Sequence, residues 1–160
     1  MPPVLLLVVA YALGGFPSAY LAGRATRHID LRQHGSGNLG ATNVYRVLGA
    51  KVATVVLALD VAKGFVPAFV FPRWTAAGAS PHWALAYGLA AIAGHVRTPF
   101  LLWKSGGKGV ATAAGVFLAL APVSTRIAGG AWALVLAVSG YVSLASLTAA
   151  VALAVALGLR

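Results

Sequence analysis

Six apolar runs, at residues 4–22, 52–71, 83–103, 110–121, 127–138 and 142–159, constrain this chain more than any other feature. Once water is gone a segment must satisfy its own backbone N–H and C=O groups, and a helix of roughly 20 apolar residues does so across a bilayer. The first, second, third and sixth runs are long enough to span. The fourth is about 18 Å long at 1.5 Å per residue and stops at Pro122. Its helix is predicted either to tilt into a thin region or to start earlier, inside the preceding glycine-rich loop. The fifth extends back to Ser124 if Arg126 snorkels to the interface. The prediction is an all-α polytopic membrane bundle of about six spans, a single domain over residues 1–160.

Charge supports this. Only 9% of the residues are charged, against about 25% in a soluble domain, too few to cover a water-facing surface. The N-terminal run lacks the basic stretch of a secretory signal peptide and stays apolar through Leu21, so it reads as a retained first span. Twelve Lys and Arg face only two acids, Asp30 and Asp60, for a net charge of +10. No aromatic residues interleave with the basic ones as a nucleic-acid platform requires, so nucleic acid is excluded as a partner and anionic lipid or substrate is favoured. With the N-terminus outside, the inner loops hold Arg24, Arg27, Arg32, Arg46, Lys51, Arg97, Lys104 and Lys108. Only Arg73, Arg126 and Arg160 then lie outside, and Lys63 lies within a span. The positive-inside rule therefore predicts N-out, with the polar loops facing the cytoplasm. Cysteine is absent and the four histidines are scattered, so neither a disulfide nor a protein-built metal site is expected, and no cofactor is called for.

Two loops concentrate the chemistry. The first follows His34 and reads GSGNLGATNVYR over residues 35–46. Gly35, Gly37 and Gly40 let backbone amides approach a ligand closely, and Ser36, Asn38, Thr42 and Asn43 add short polar side chains. Arg46 adds a guanidinium fork suited to phosphate. Thr42 or Asn43 is expected to cap the following helix, aiming free N–H groups at an anion. The second loop carries Lys104, Gly106, Gly107, Lys108 and Gly109 and leads to Thr112. It resembles a phosphate-binding loop but is no Walker A sequence. Leu102 stands where that pattern needs Gly, Gly109 where it needs Ser or Thr, and no magnesium-binding carboxylate is near. That disfavours a nucleotide and leaves a metal-free phosphate open.

Asp60 and Lys63 share one face of the second span; such a pair can neutralise itself, and a packing role is favoured. His95 is read as a helix-packing histidine, while His28 and His82 look interfacial and His34 carries no assignment. No internal repeat relates the halves, which counts against many transporter folds.

In order along the chain, the loop at 35–46, the segment Asp60–Lys63–Gly64, Gly94–His95 ahead of Pro99, the sequence GGKGVAT at 106–112 and the segment YVSLAS at 141–146 resemble the bacterial acyl-phosphate:glycerol-3-phosphate acyltransferases. The resemblance covers nearly the whole chain. It implies a seven-span helical fold and transfer of a fatty acyl group from acyl phosphate to the sn-1 hydroxyl of glycerol 3-phosphate, within membrane lipid. By similarity Ser36 and Arg46 help hold glycerol 3-phosphate, and Gly106, Gly107, Lys108 and Gly109 hold the acyl-phosphate head. Ser36, Arg46 and Lys108 are the catalytic candidates, with Gly35, Gly37, Asn38, Gly40, Thr42, Asn43, Lys104 and Thr112 completing the binding set. No nucleophile with an adjacent base is visible, so direct attack by the glycerol hydroxyl is expected, with a substrate phosphate oxygen as base. The family also carries a third loop with a His-x-x-Asn core near its C-terminus. This sequence has none, and one more span would be needed to return it to the inner face, so the chain is read either as C-terminally incomplete or as a natural short relative. The rival readings are an anion or sugar-phosphate transporter and a relative that binds acyl phosphate without turnover.

Overall fold

The computed structural model describes residues 1–75, 80–104 and 106–159. Ser105 of the second loop and Arg160, expected on the outer side, lie outside the described residues. Among the described residues every regular element is helical: α1 (Pro3–Gly14), α2 (Ser18–Arg27), α3 (Ala41–Leu48), α4 (Ala50–Trp74), α5 (Pro81–Val96), α6 (Val110–Leu120), α7 (Pro122–Ser139) and α8 (Val142–Gly158). Two 3-10 turns, Leu31–Gln33 and Pro99–Leu101, sit in the polar loops.

Each apolar run forms helix, but several boundaries move for local reasons. The first run breaks between Gly14 and Ser18, because Pro17 has no N–H to continue the ladder. The third ends at Val96 rather than at 103. Pro99 holds Thr98 in extended backbone, and Leu102 and Trp103 both take a left-handed φ of 55°. The fourth does not borrow residues from the glycine loop, since Gly109 sits at φ 78° and α6 starts just after it. Pro122 opens α7, where its preset φ suits a first helical position, so the fifth helix starts before Ser124. By length and composition, Pro3–Arg27 taken through its break, Ala50–Trp74 and Pro122–Ser139 are long and apolar enough to cross a membrane, and α6 and α8 are shorter apolar helices.

Inside lipid, helices gain nothing by hiding apolar surface from water, so close backbone approach and interhelical hydrogen bonds must hold them together. Glycine supplies that approach twice. Between α1 and α5, a Cβ at Gly14 would lie 2.0 Å from the Ala91 carbonyl oxygen, and one at Gly94 would lie 2.0 Å from that of Tyr11. Between α4 and α6, Gly64 meets the Thr112 carbonyl and Gly115 meets that of Val61, each at 2.0 Å from the position a Cβ would take. Leu6, Ala10, Phe71 and Tyr87 fill the space between α1, α4 and α5. A second cluster, of Ala19, Leu31, Leu39, Val44, Ala53 and Val56, anchors the first polar loop to α2, α3 and α4.

Candidate active site

The break in the first span creates the site's floor. Interrupting a helix frees carbonyls that lipid cannot satisfy, so partners must come from neighbouring elements. Thr98 Oγ1 donates to the Gly15 carbonyl, and Lys63 Nζ donates to that of Phe16 at 2.9 Å. Lys63 also pairs with Asp60 Oδ1 at 2.8 Å, and Ser18 Oγ donates to the same carboxylate oxygen at 2.6 Å. Asp60 and Lys63 therefore do neutralise each other, one turn apart on α4, while tying α4 to the start of α2. Their side chains are 1% and 7% exposed, so breaking the pair strands a buried charge.

The first loop is shaped largely by one residue. Asn43 is buried; its Oδ1 accepts from Ser36 N at 2.9 Å and its Nδ2 donates to the His34 carbonyl at 3.1 Å. Its amide is thereby occupied within the loop. Gly35 and Gly37 take φ values of 62° and 71°, which side-chain-bearing residues rarely adopt. A side chain at Gly35 would also strike Asn43 Oδ1, 2.3 Å from where a Cβ would stand. The expected side-chain cap does not form: α3 begins at Ala41 with Gly40 as its N-cap, which puts Thr42 and Asn43 inside its first turn. With Asn43 turned back into the loop, the first-turn amides of α3 carry no side-chain cap. Ser36 and Arg46 are exposed beside this frame, Asn38, Gly40 and Thr42 are half-buried, and Leu39 is buried beneath it.

The second loop folds onto the end of α5. Gly106 N donates to the Val96 carbonyl at 3.0 Å. A Cβ on Gly107 would lie 2.2 Å from His95 Nε2 and 2.9 Å from the Leu39 carbonyl of the first loop. The two loops thus meet at Leu39 and Gly107. They close a small cavity of about 10 Å³ lined by Ser18, Lys63, His95, Thr98, Gly106 and Gly107, with the residues of the broken span. Lys104 and Lys108 are exposed above it, and Gly109 is buried at the start of α6. Thr112 is fully buried against Gly64, and its hydroxyl has no hydrogen-bond partner among the described residues. Ser36, Arg46 and Lys108 make no polar contact with one another in the described structure.

Electrostatics sharpen the picture. Both acids of the chain are already paired, Asp60 with Lys63 and Asp30 with Arg32 at 2.6 Å. Hydrogen bonding from Arg32 holds the Asp30 carboxyl below the usual carboxylate range, and Arg32 also stacks 5.3 Å from the Tyr20 ring centroid. Arg46, Lys104 and Lys108 are left with no carboxylate of the protein to balance them, which suits an anionic ligand. Among the described residues no three His, Asp or Glu side chains are grouped to hold a metal ion.

Ser18 and Thr98, which line the cavity with Lys63 and His95, were not singled out from the sequence, and Asp60, Lys63 and His95 were read there as packing residues. A signal was present: Pro17 interrupts an apolar run and is followed at once by a serine. A broken span needs buried polar partners, and the ionisable residues within spans are the natural suppliers.

Comparison with known proteins follows the same outline. Residues 4–159 match a family model described as glycerol-3-phosphate acyltransferase. A glycerol-3-phosphate acyltransferase of Chlorobaculum tepidum is 42% identical over 97% of this chain and 70% of its own length. One from Geobacter sulfurreducens is 46% identical over 94% of this chain and 75% of its own. A crystal structure of PlsY, an integral membrane glycerol 3-phosphate acyltransferase in its glycerol 3-phosphate form, superposes with a TM-score of 0.86 at 38% identity. It covers 94% of this chain and 74% of that one. The lysophosphatidic acid form superposes with a TM-score of 0.83 at 37% identity.

Proposed function

This chain belongs to the glycerol-3-phosphate acyltransferase family, and from that premise we propose that it is a membrane-embedded enzyme joining a fatty acyl group to the sn-1 hydroxyl of glycerol 3-phosphate, with acyl phosphate as donor. The observation that carries the reading is the meeting of the two loops at Leu39 and Gly107, with Arg46, Lys104 and Lys108 unbalanced around them. Two phosphate-bearing substrates need two cationic, amide-rich loops within reach of each other, and this arrangement offers them.

In this reading Ser36 and Arg46 hold glycerol 3-phosphate, supported by the frame of Gly35, Gly37, Asn38, Gly40, Thr42 and Asn43. Lys108, with Gly106, Gly107 and Gly109 and the first-turn amides of α6, holds the acyl-phosphate head, and Lys104 adds positive charge at the rim. Thr112, buried under α4, supports the start of α6. The glycerol hydroxyl attacks the acyl carbonyl carbon, the bond from that carbon to the phosphate oxygen breaks, and inorganic phosphate leaves. The hydroxyl proton passes to a substrate phosphate oxygen. Lysine and amide donors stabilise the oxyanion and the leaving phosphate, a term worth about 3–4 kcal/mol per well-placed donor. The acyl chain lies among the apolar helices. Both loops face the cytoplasm of a bacterial inner membrane, with the N-terminus outside and the apolar helices forming about six spans.

Membranes carrying this chain are incubated with labelled glycerol 3-phosphate and palmitoyl phosphate. Lysophosphatidate with stoichiometric phosphate is the expected result. Flux of glycerol 3-phosphate into vesicles without product would instead indicate a transporter, and a stable acyl-enzyme without acceptor would overturn direct attack. Because the chain has no cysteine, Lys51→Cys and Arg73→Cys report sidedness directly. A membrane-impermeant thiol reagent added outside intact cells should label the second and not the first.

A further inference from the structure

The third apolar run continues to Trp103, but α5 leaves it at Val96. With 16 residues α5 is about 24 Å long, short of the roughly 30 Å hydrocarbon core of a bilayer. The segment that follows, residues 97–104, therefore lies where that core gives way to headgroups. Polar backbone groups at such a depth need partners of their own. Those of this segment have them. The amides of Arg97 and Leu101 donate to the Ala93 and Thr98 carbonyls, that of Leu102 to Pro99, that of Trp103 to Thr98 at 2.9 Å, and that of Lys104 to Leu101.

One side of this turn is fastened to the fold. Tyr11 Oη donates to the Arg97 carbonyl at 2.5 Å and Thr98 Oγ1 donates to that of Gly15, so the broken end of α1 holds the base. Leu101 packs against the cluster of Leu31, Leu39, Val44 and their neighbours beneath the first loop. The other side is apolar and uncovered among the described residues. Phe100, Leu102 and Trp103 are 57%, 77% and 60% exposed. Leu102 and Trp103 also hold a φ of 55°, which side-chain-bearing residues seldom adopt. With its base pinned, the turn holds these three side chains out from the helices rather than against them.

We infer that the turn at residues 99–103 is a membrane-docking lip, whose Phe100, Leu102 and Trp103 enter the bilayer interface while the exposed Arg97 and Lys104 beside it meet anionic headgroups. Both acids of the chain are paired elsewhere, Asp60 with Lys63 and Asp30 with Arg32, so neither compensates these two cations. A membrane interface favours tryptophan, whose apolar body sits in lipid while its N–H reaches the headgroup level. A folded protein partner needs about 800 Å² of surface, more than three side chains on one turn supply. Through Thr98 and Leu101 the lip sets the depth of the site's floor relative to the lipid. This docking is independent of which substrate either loop holds.

Because the chain has no cysteine, single nitroxide labels can be placed at Phe100→Cys, Leu102→Cys and Trp103→Cys. The purified full chain is reconstituted into vesicles of phosphatidylcholine and phosphatidylglycerol. Collision of each label with oxygen, which concentrates in lipid, is compared with collision with a water-soluble nickel chelate. Lys51→Cys supplies the aqueous reference, and Leu134→Cys, on the exposed face of α7, supplies the lipid reference. At all three positions the oxygen-to-nickel ratio should shift well above the Lys51→Cys value, toward that of Leu134→Cys. An aqueous ratio at any of them would overturn the inference and leave the turn open to a soluble partner. An immobilised label shielded from both reagents would overturn it too, since a protein surface would then cover the turn. If labelling disturbs the fold, Trp103 reports instead, in a chain carrying Trp74→Phe, Trp83→Phe and Trp132→Phe. Brominated lipid should then quench its emission and aqueous iodide should not, and the reverse pattern would overturn the lip.

Discussion

The helices α4 and α6 and the hairpin of α7 and α8 are equally apolar to the eye, yet they are held together by different means. Between α4 and α6, Gly64 and Gly115 bring backbone against backbone. A buried ion pair on α4 then ties that unit to the start of α2, and His95 at the end of α5 lies beside it. In the hairpin, Gly129 and Gly130 have nothing within 4 Å of a built Cβ. The α7–α8 contact instead includes two side-chain hydrogen bonds, Ser124 Oγ to the Ala156 carbonyl at 3.1 Å and Trp132 Nε1 to Ser146 Oγ at 3.3 Å. Much of α7 faces outward, with 11% of its span buried against 39% for α4. In lipid, hydrophobicity does not distinguish a packed face from a free one; steric closeness and polar bonds do.

The strongest way to break this contrast is to put a side chain where backbones touch. Gly64→Leu or Gly115→Leu should abolish folded, monodisperse protein on size-exclusion in detergent, because a carbonyl oxygen 2.0 Å from the new Cβ cannot move aside. Gly129→Leu and Gly130→Leu should yield folded protein. Next in size, Asp60→Ala leaves Lys63 buried and unpaired and should cost about 3–5 kcal/mol, read as a lowered melting temperature. On the loops the effect should move from stability to rate. Ser36→Ala and Arg46→Ala should lower acyl transfer about a hundredfold or more with little change in melting temperature, since both side chains are exposed. In the hairpin, Ser124→Ala should cost only about 1 kcal/mol.

The smallest effect concerns pH. The Asp30 carboxyl is held below its ordinary range by Arg32, so its contribution is fully present above the unfolded carboxylate value near 4 and fades as pH falls through the lower folded one. Hydrogen exchange in the segment 30–34 should therefore be insensitive to this pair from pH 8 to 5, after correction for intrinsic rates. It should rise only below about pH 4, and Asp30→Asn should remove that dependence.

The helical class and both polar loops were legible because they depend on local properties: long apolar runs demand helices, and clustered glycines with basic residues mark a candidate ligand loop. The less legible features depend on what a segment meets. Asn43 reads as a ligand donor or cap until α3 is seen to start at Ala41 and the amide to turn back onto Ser36 and His34. Asp60 and Lys63 read as a self-neutralised pair, which they are. That they also anchor a broken span and stand behind His95 follows only from the approach of α2 and α5.

What the sequence by itself determined is the medium and the kind of ligand. Scarce charge and apolar length leave a bilayer as the only solvent, and ten uncompensated positive charges with glycine loops point to anions. Tertiary structure alone decided which glycines are packing surfaces, which polar residues are occupied, and that two loops separated along the chain meet over one buried cluster. Backbone approach and hydrogen-bond satisfaction are properties of pairs of segments, and no single stretch of sequence contains both members of the pair.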